Sequence, residues 1–182
     1  MKMSSIITLL KNTKTKFIKK GEVLIPEGAT NKNVSFIRKG LIRSYYFDSA
    51  KLEEITFQLY PEYNVVLNMH SVLFDEPSKF SYQALEDTKV YQINYTFFLD
   101  LTANNPELLE INRQFIGRKA IRQAFQRIES FVFMSPQERY QKYVADYPNI
   151  VNRAPDKYIA NVLGITPVSL SRIRSRIAAK RP

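Results

Sequence analysis

The sequence predicts an α+β protein in which an N-terminal jelly-roll-like β-roll, of the cupin-like double-stranded kind, precedes a long helix and a C-terminal helix-turn-helix. Three observations predict this order. Apolar and polar residues alternate before residue 95, apolar residues recur every three or four positions after it, and a glycine separates two short amphipathic helices near the end. We expect a β-roll over residues 1–105, a long helix over 106–134 and a helix-turn-helix domain over 135–182.

Short strands separated by turn signals make up the first half of the chain. Between residues 52 and 60, the apolar residues Ile55, Phe57 and Leu59 alternate with polar ones, which is the period of a strand with one wet face. Lys39-Gly40 lies between two such runs and predicts a tight hairpin that joins them. Strands of this length and spacing are typical of a jelly-roll sandwich.

One long helix is predicted from Glu107 to about Phe133, since Pro106 suits a helix start. Apolar residues near its C-terminal end recur at intervals of four, three and four, the spacing of a coiled-coil seam. A second copy of the chain would bury this seam, so we expect a homodimer built on the helix. The predicted dimerisation residues are Ile121, Phe125, Ile128 and Val132.

Two short helices with a glycine between them are predicted over residues 156–179. Gly164 supplies the left-handed backbone that ends the first helix, and Thr166 and Pro167 suit the cap and first turn of the second, over about 166–179. One face of the second helix is apolar, and the other carries short hydroxyls beside arginines, which suit the major groove of DNA. The predicted DNA-contacting residues are Thr166, Val168, Ser169, Arg172, Ser175 and Arg176.

The net charge of +10 and the pI of about 9.7 indicate a polyanionic partner, either nucleic acid or an anionic membrane surface. Residues 151–182 carry seven Lys and Arg against one acid, a net of +6. Because this charge coincides with the predicted turn and cap, DNA is favoured as the partner. Arg172 is expected to read a base, while Arg174 and Lys180 are expected mostly to steer the protein towards DNA through their charge.

The chain has no cysteine and a single histidine, His70. These counts exclude disulfides, thiol catalysis, cysteine-ligated metal centres and His-rich metal sites. No segment reaches the roughly 18 continuous apolar residues of a membrane span, and the start lacks a signal-peptide cleavage site. We therefore expect a cytoplasmic protein with no cofactor and no membrane partner.

These segments together resemble the Crp/Fnr family of bacterial regulators over nearly the whole chain. Residues 19–24 (KKGEVL) and 26–28 (PEG) resemble the opening strands of that family, and residues 36–43 (FIRKGLIR) resemble its next hairpin. Residues 155–177 resemble the DNA-binding motif of the branch that ends soon after the recognition helix. The resemblance implies a β-roll sensor, a long dimerisation helix and a winged-helix-like DNA domain.

The resemblance also implies roles and partners. Thr166 and Ser169 correspond to phosphate-contacting positions, and Arg172 corresponds to the base-reading arginine. The implied partners are double-stranded DNA with an inverted-repeat operator, a second copy of the chain and RNA polymerase. The identity of a small-molecule effector, the target genes and the choice between activation and repression stay open.

Cyclic-nucleotide binders of that family carry a Gly-Glu pair and then an Arg followed by a small polar residue, which hold the ribose and the phosphate. By the resemblance, these pairs correspond to Tyr63-Asn64 and Ser78-Lys79 here, so a bulky side chain replaces glycine and no arginine is present. We expect a degenerate effector pocket that does not bind cyclic nucleotides. Its predicted residues are Tyr63, Asn64, Ser78, Lys79 and Tyr82.

Two other functions compete with DNA binding at this level. A β-roll could bind a small molecule and signal through protein contacts, with a purely structural tail, but the arginine-rich tail argues against this. A cupin-type metalloenzyme needs several metal ligands, usually His, and the chain has one. No Ser–His–acid arrangement is supported by spacing, so we expect no enzymatic activity.

Overall fold

The structure, a computed structural model, describes residues 3–103 and 105–179, without the side chains of residues 3–6, 115, 116 and 119. Two four-stranded antiparallel sheets, with strand orders β1-β8-β3-β6 and β2-β7-β4-β5, form the predicted β-roll. The strands are β1 (Lys14–Ile18), β2 (Val23–Ile25), β3 (Asn33–Lys39), β4 (Ile42–Asp48), β5 (Glu53–Tyr60), β6 (Val65–Leu67), β7 (Ser81–Ala84) and β8 (Thr88–Asn94). The predicted α+β class is confirmed.

Helices precede and follow the roll, and one short helix interrupts it. They are α1 (Met3–Lys11), α2 (Met69–Leu73), α3 (Tyr95–Ala103), α4 (Pro106–Asn112), α5 (Lys119–Phe133), α6 (Pro136–Asp146), α7 (Asp156–Leu163) and α8 (Pro167–Ala178). A π-helical turn, Arg113–Arg118, joins α4 to α5, so the one long helix predicted from Glu107 to about Phe133 is continuous but changes its hydrogen-bond pattern at this point. None of the described helices is long and apolar enough to cross a membrane.

The two sheets share a core of aliphatic side chains. Ile37 of β3 and Val90 of β8 are fully buried together with Ile42 of β4 and Ala84 of β7. The two-residue period of a strand sends alternate side chains into this core. Each large side chain removed from water in this way contributes about 1.5–3 kcal/mol to folding.

The turn at Lys39 and Gly40 is present, but the predicted hairpin is not. β3 pairs with β6 and β8, whereas β4 pairs with β5 and β7, so the turn carries the chain from one sheet to the other. Gly40 has φ +115°, and a Cβ there would lie 2.7 Å from the Cα of Thr88. The local signal therefore marks a turn, while packing between distant strands decides the pairing.

A second core joins the roll to the C-terminal helices. Leu41 and Leu59 of the roll lie in one buried cluster with Ile159 and Leu163 of α7 and Leu170 of α8. This contact holds the helix-turn-helix against β5 and so sets its orientation. Between residues 135 and 179 the described chain contains no strand, so the wing that the resemblance implies is not found there.

Candidate nucleic-acid interface

Gly164 and Thr166 build the turn between α7 and α8, as the sequence predicts. Gly164 ends α7 with φ 65° and ψ 37°, a left-handed backbone that glycine adopts without steric cost. A Cβ at Gly164 would lie 2.5 Å from Cε1 of Phe131 on α5, so the close approach of that ring also requires glycine. Thr166 Oγ1 caps α8 by accepting a hydrogen bond of 3.1 Å from the backbone N–H of Ser169.

The two sides of α8 differ in burial. Leu170 and Ile173 are 0% and 2% exposed, and Leu170 packs in the cluster shared with α7. The predicted DNA-contacting residues lie away from that contact: Thr166, Val168, Arg172, Ser175 and Arg176 are exposed and Ser169 is half-buried. The structure thus brings these six residues together on one accessible helix.

The N-terminus of α8 combines exposed hydroxyls with an exposed helix end. The hydroxyl of Thr166 lies 3.0 Å from that of Ser169. The positive end of a helix dipole and its unpaired backbone N–H groups attract phosphate oxygens. This end of α8 is therefore suited to a phosphate of a nucleic-acid backbone.

Arg174 has a different environment from Arg172, although both lie on α8. Arg174 Nη1 donates to the two carboxylate oxygens of Asp156 at 2.8 and 2.7 Å, and its Nε donates to the Tyr140 hydroxyl at 3.2 Å. Among the described residues, no carboxylate pairs with Arg172. Arg172 can therefore meet an external ligand, whereas Arg174 ties α8 to α7 and α6. Lys180 lies outside the described residues.

Arg153, in the loop before α7, binds two carboxylates of the roll. Its Nη1 and Nη2 donate to Glu62 at 2.9 and 2.8 Å, and its Nη2 also contacts Glu86. The side-chain hydrogen bonds from Arg153 lower the pKa of the Glu62 carboxyl to about 2. The three side chains are half-buried, and Arg153 forms a bidentate pair with Glu62 and a second ion pair with Glu86, a network stronger than one exposed ion pair.

A backbone contact also fixes α7 against β5. Asn161 Oδ1 accepts a hydrogen bond of 3.1 Å from the backbone N–H of Thr56, and Lys157 Nζ lies 3.2 Å from a Glu53 carboxylate oxygen. The Arg43 guanidinium stacks over the ring of Tyr158, 4.3 Å from its centroid. The sequence predicted none of these contacts, because they join residues about 100 positions apart.

The predicted dimerisation seam is uncovered. Ile121, Phe125, Ile128 and Val132 are 58%, 62%, 60% and 66% exposed. Their side chains therefore do not pack on the roll of the same chain, which was the alternative explanation for an apolar stripe on this helix. Whether a second chain covers them stays a prediction.

The predicted effector-pocket residues do not gather in one site. Tyr63 is 62% exposed, and its ring contacts Phe36. Phe36 alternates along β3 with the buried Ile37, so this contact lies outside the roll core. Asn64 donates to carbonyl groups of its own turn, and Lys79 is exposed. Tyr63 and Asn64 are therefore not buried in the roll as Ser78 and Tyr82 are, and the role predicted for them in an effector pocket stays a prediction.

Asn68, at the start of α2, lies inside the roll. It caps α2, is fully buried, and donates through Nδ2 to the Ala29 carbonyl at 3.0 Å. The backbone N–H of the buried Ser78 donates to the same carbonyl at 2.8 Å. Of the predicted pocket, Ser78 and Tyr82 are therefore inside the roll. The asparagine cap before α2 is the sequence signal that could have identified Asn68.

Aromatic rings fill the neighbouring part of the roll. Phe80 lies 4.7 Å from Phe57, 6.2 Å from Tyr46 and 6.1 Å from His70 between ring centroids. Tyr82 donates its hydroxyl to the Leu67 carbonyl at 3.2 Å. His70 is thus part of an aromatic cluster, and the described residues contain no group of three His, Asp or Glu that could hold a metal ion.

Part of the chain matches a known protein family. The family described as the cyclic nucleotide-binding domain matches residues 15–105, which is half of the chain. No relative is found among curated protein sequences.

Solved structures of bacterial regulators share the fold. FixK2 from Bradyrhizobium japonicum aligns with a TM-score of 0.77 at 16% identity, covering 92% of this chain and 85% of that one. The c-di-GMP-responsive global regulator CLP of Xanthomonas campestris aligns with a TM-score of 0.72 at 11% identity over 98% and 92%. TTHA1359, a CRP/FNR-family regulator from Thermus thermophilus, gives 0.68 at 16% over 92% and 87%. At these identities the likeness shows the fold alone.

Proposed function

Because the chain belongs to the cyclic nucleotide-binding domain family and has the fold of the CRP/FNR regulators, we propose that it is a transcription regulator that binds DNA as a homodimer. One observation carries the proposal. α8 buries Leu170 and Ile173 against the molecule, and its free side presents hydroxyls and arginines that pair with no described carboxylate. A helix that enters the major groove requires one side packed against its own protein and one side free to contact the bases.

Each exposed residue of α8 has a role in this proposal. Thr166 and Ser169 donate to a phosphate at the helix N-terminus and set the register of the protein on the duplex. Arg172 reads a guanine through O6 and N7, while the exposed Val168 touches a thymine methyl group. Ser175 and Arg176 lie further along the exposed side and meet the far edge of the groove.

Dimerisation would follow from the exposed seam on α5. Burial of one such apolar side chain is worth about 1.5–3 kcal/mol, so four of them on each of two chains provide a substantial driving force. In a twofold dimer the recognition helices would lie about 34–36 Å apart, one turn of B-DNA. The operator would then be an inverted repeat with half-sites one turn apart, and RNA polymerase would be a further partner at the promoter.

The roll would work without cyclic nucleotide. The rings of Phe57 and Phe80 pack in the roll, and the polar groups of Asn68 and Ser78 are satisfied by the chain itself. A nucleotide phosphate would also need a cation, and Lys79, the only one in the predicted pocket, is exposed. DNA binding would then be controlled by another ligand or by the amount of the protein.

Selection of binding sites from random duplex DNA tests the proposal. We expect an inverted repeat to be enriched and its affinity to fall steeply with salt, because phosphate contacts release counterions. If no duplex is retained even at low salt, DNA binding is rejected and signalling through protein contacts takes its place.

A further inference from the structure

A cavity of about 120 Å³ lies where the roll meets α5, α6 and α7. One water molecule needs roughly 10–15 Å³ of such space, so the cavity is large enough for a small oxyanion. It contains none of the residues proposed to contact DNA. The residues on its wall that matter for the argument are Gln58 of β5, Gln123, Arg127 and Phe131 of α5, and Tyr143 of α6.

Arg127 is the unusual residue of this cavity. Its guanidinium lies between two rings, 4.5 Å from the centroid of Phe57 and 5.3 Å from that of Phe131. Among the described residues no carboxylate pairs with it, although it is half-buried. Burial lowers the pKa of the guanidinium. A desolvated cation without a counter-charge is costly, which indicates that an anion can compensate it.

A second, independent group is unsatisfied in the same place. The hydroxyl of Tyr143 is buried and has no hydrogen-bond partner among the described residues. A buried hydroxyl without a partner costs about 1–3 kcal/mol, so such groups normally meet a ligand or a water. A ligand with acceptor oxygens would satisfy both Tyr143 and Arg127.

The other charged groups around the cavity leave it positive. Lys142 pairs with Asp146 at 3.0 Å, so these two charges cancel. Arg139 uses Nε and Nη1 to donate to the carbonyls of Leu163 and Met134. The positive charges of Arg127 and Arg139 are therefore not balanced by an acid on the cavity wall.

We propose that this cavity is a binding site for a small oxyanion, the carboxylate or phosphate group of a ligand, and that Arg127 is its main donor. A planar guanidinium matches the two oxygens of such a group. The amides of Gln58 and Gln123 and the hydroxyl of Tyr143 supply further donors. Neither Ser78 nor Tyr82 of the predicted effector pocket lies on the wall of this cavity.

The position of the site connects it to the helix-turn-helix. Phe131, on the cavity wall, packs against Gly164 in the turn between α7 and α8. An anion held between α5 and α6 therefore stiffens the contact that orients α8. Binding itself does not depend on the proposed DNA function and can be measured without DNA.

Calorimetric titration with inorganic phosphate, at an ionic strength held constant with sodium chloride, tests the site on the full chain. We expect one phosphate per chain. Arg127→Gln should raise the Kd at least tenfold, and Tyr143→Phe should raise it severalfold without loss of the ring. Arg122→Gln is the matched control, because Arg122 is exposed on the same helix.

Arg172→Gln separates the cavity from the DNA-binding face, which also attracts phosphate. Binding that survives in Arg172→Gln and Arg122→Gln but is lost in Arg127→Gln supports the site. Binding lost in Arg172→Gln and kept in Arg127→Gln overturns it and places the anion on α8. Absence of phosphate binding by the wild type also overturns it. Thermal unfolding of each variant shows whether it is folded. If Arg127→Gln does not fold, the phosphate affinity of Tyr143→Phe decides between these results.

Discussion

At the scale of single residues, two arginines two positions apart on one helix have different roles. Arg174 is bound by Asp156 and Tyr140, so its charge is used inside the protein. Arg172 points away from the buried side of α8 and pairs with no described carboxylate. The number of basic residues does not distinguish the roles of these two arginines, but their hydrogen-bond and ion-pair partners do.

Replacing Arg172 by Ala should therefore change sequence preference. We expect a loss of about 1–3 kcal/mol on the selected site and relaxed preference at one base pair per half-site, since a bidentate contact to guanine is removed. Site selection from random DNA with both proteins is the measurement, and Arg122→Ala is the control. Identical preferences of the wild type and Arg172→Ala would show that Arg172 contacts phosphate only.

Gly164 and Gly117 form a matched pair for a stability test. Gly164→Ala should lower the free energy of unfolding by about 1–3 kcal/mol, because its φ is +65° and a Cβ would meet the Phe131 ring. Gly117→Ala should be neutral or stabilising, since no atom lies within 4 Å of the new Cβ and alanine favours helices. Urea denaturation of both variants measures the difference, and equal effects would contradict the role given to the turn.

At the scale of elements, α5 has two sides with different uses. One side faces the cavity through Gln123 and Arg127, and the other carries the exposed apolar seam. The seam is aliphatic and aromatic but lies in water in the single chain, an arrangement that is costly unless another surface covers it.

Ile128→Asp should weaken dimerisation more than tenfold, because a charge would enter an apolar interface. The single chain should stay folded, since Ile128 is 60% exposed. Light scattering across micromolar concentrations measures the oligomeric state, with circular dichroism as the check on folding. Glu129→Gln is the control, since each helical step turns the side chain by about 100°. A wild type that is monomeric at micromolar concentration would reject the dimer.

At the scale of the whole molecule, the roll and the helix-turn-helix are joined by charge as well as by the apolar cluster. Arg153 bridges the loop before α7 to Glu62 and Glu86. The folded-state pKa of Glu62 is about 2, below its ordinary value of 4.5. The stability from this pair is therefore complete above about pH 4.5 and is lost as the pH falls towards 2.

Glu62→Gln should accordingly flatten the acid side of the stability profile. Thermal unfolding at pH 7, 4 and 3 is the measurement, and the difference in midpoint between wild type and variant should shrink as the pH falls. Glu27→Gln, at an exposed position, should keep the wild-type profile. A difference that stays constant with pH would mean that the pair does not contribute through the ionised carboxylate.

Cyclic nucleotides should have little effect on the molecule as a whole. We expect cyclic AMP and cyclic GMP to bind weakly or not at all, because Phe57 and Phe80 occupy the roll and the Ser78-Lys79 position has no arginine. Calorimetry is the measurement, and a micromolar or tighter Kd for either nucleotide would refute the expectation.

The sequence alone was enough for the features whose signals are local. The strand period predicted the roll, and the capping residues predicted α6, α7 and α8, with the turn at Gly164 and the exposed face of α8. A cap or a left-handed glycine acts within a few residues, so its effect can be read from neighbouring positions. The same holds for the seam on α5, whose spacing was visible but whose partner was not.

The tertiary structure decided everything that depends on distant pairs. It placed β3 and β4 in different sheets, left Tyr63 exposed while Asn68 is buried, and joined Arg153 to the roll. It also left Arg127 without a described carboxylate and the Tyr143 hydroxyl without a described partner beside one cavity. Such features arise because packing and charge act between residues that the chain brings together only when it is folded, so no local pattern records them.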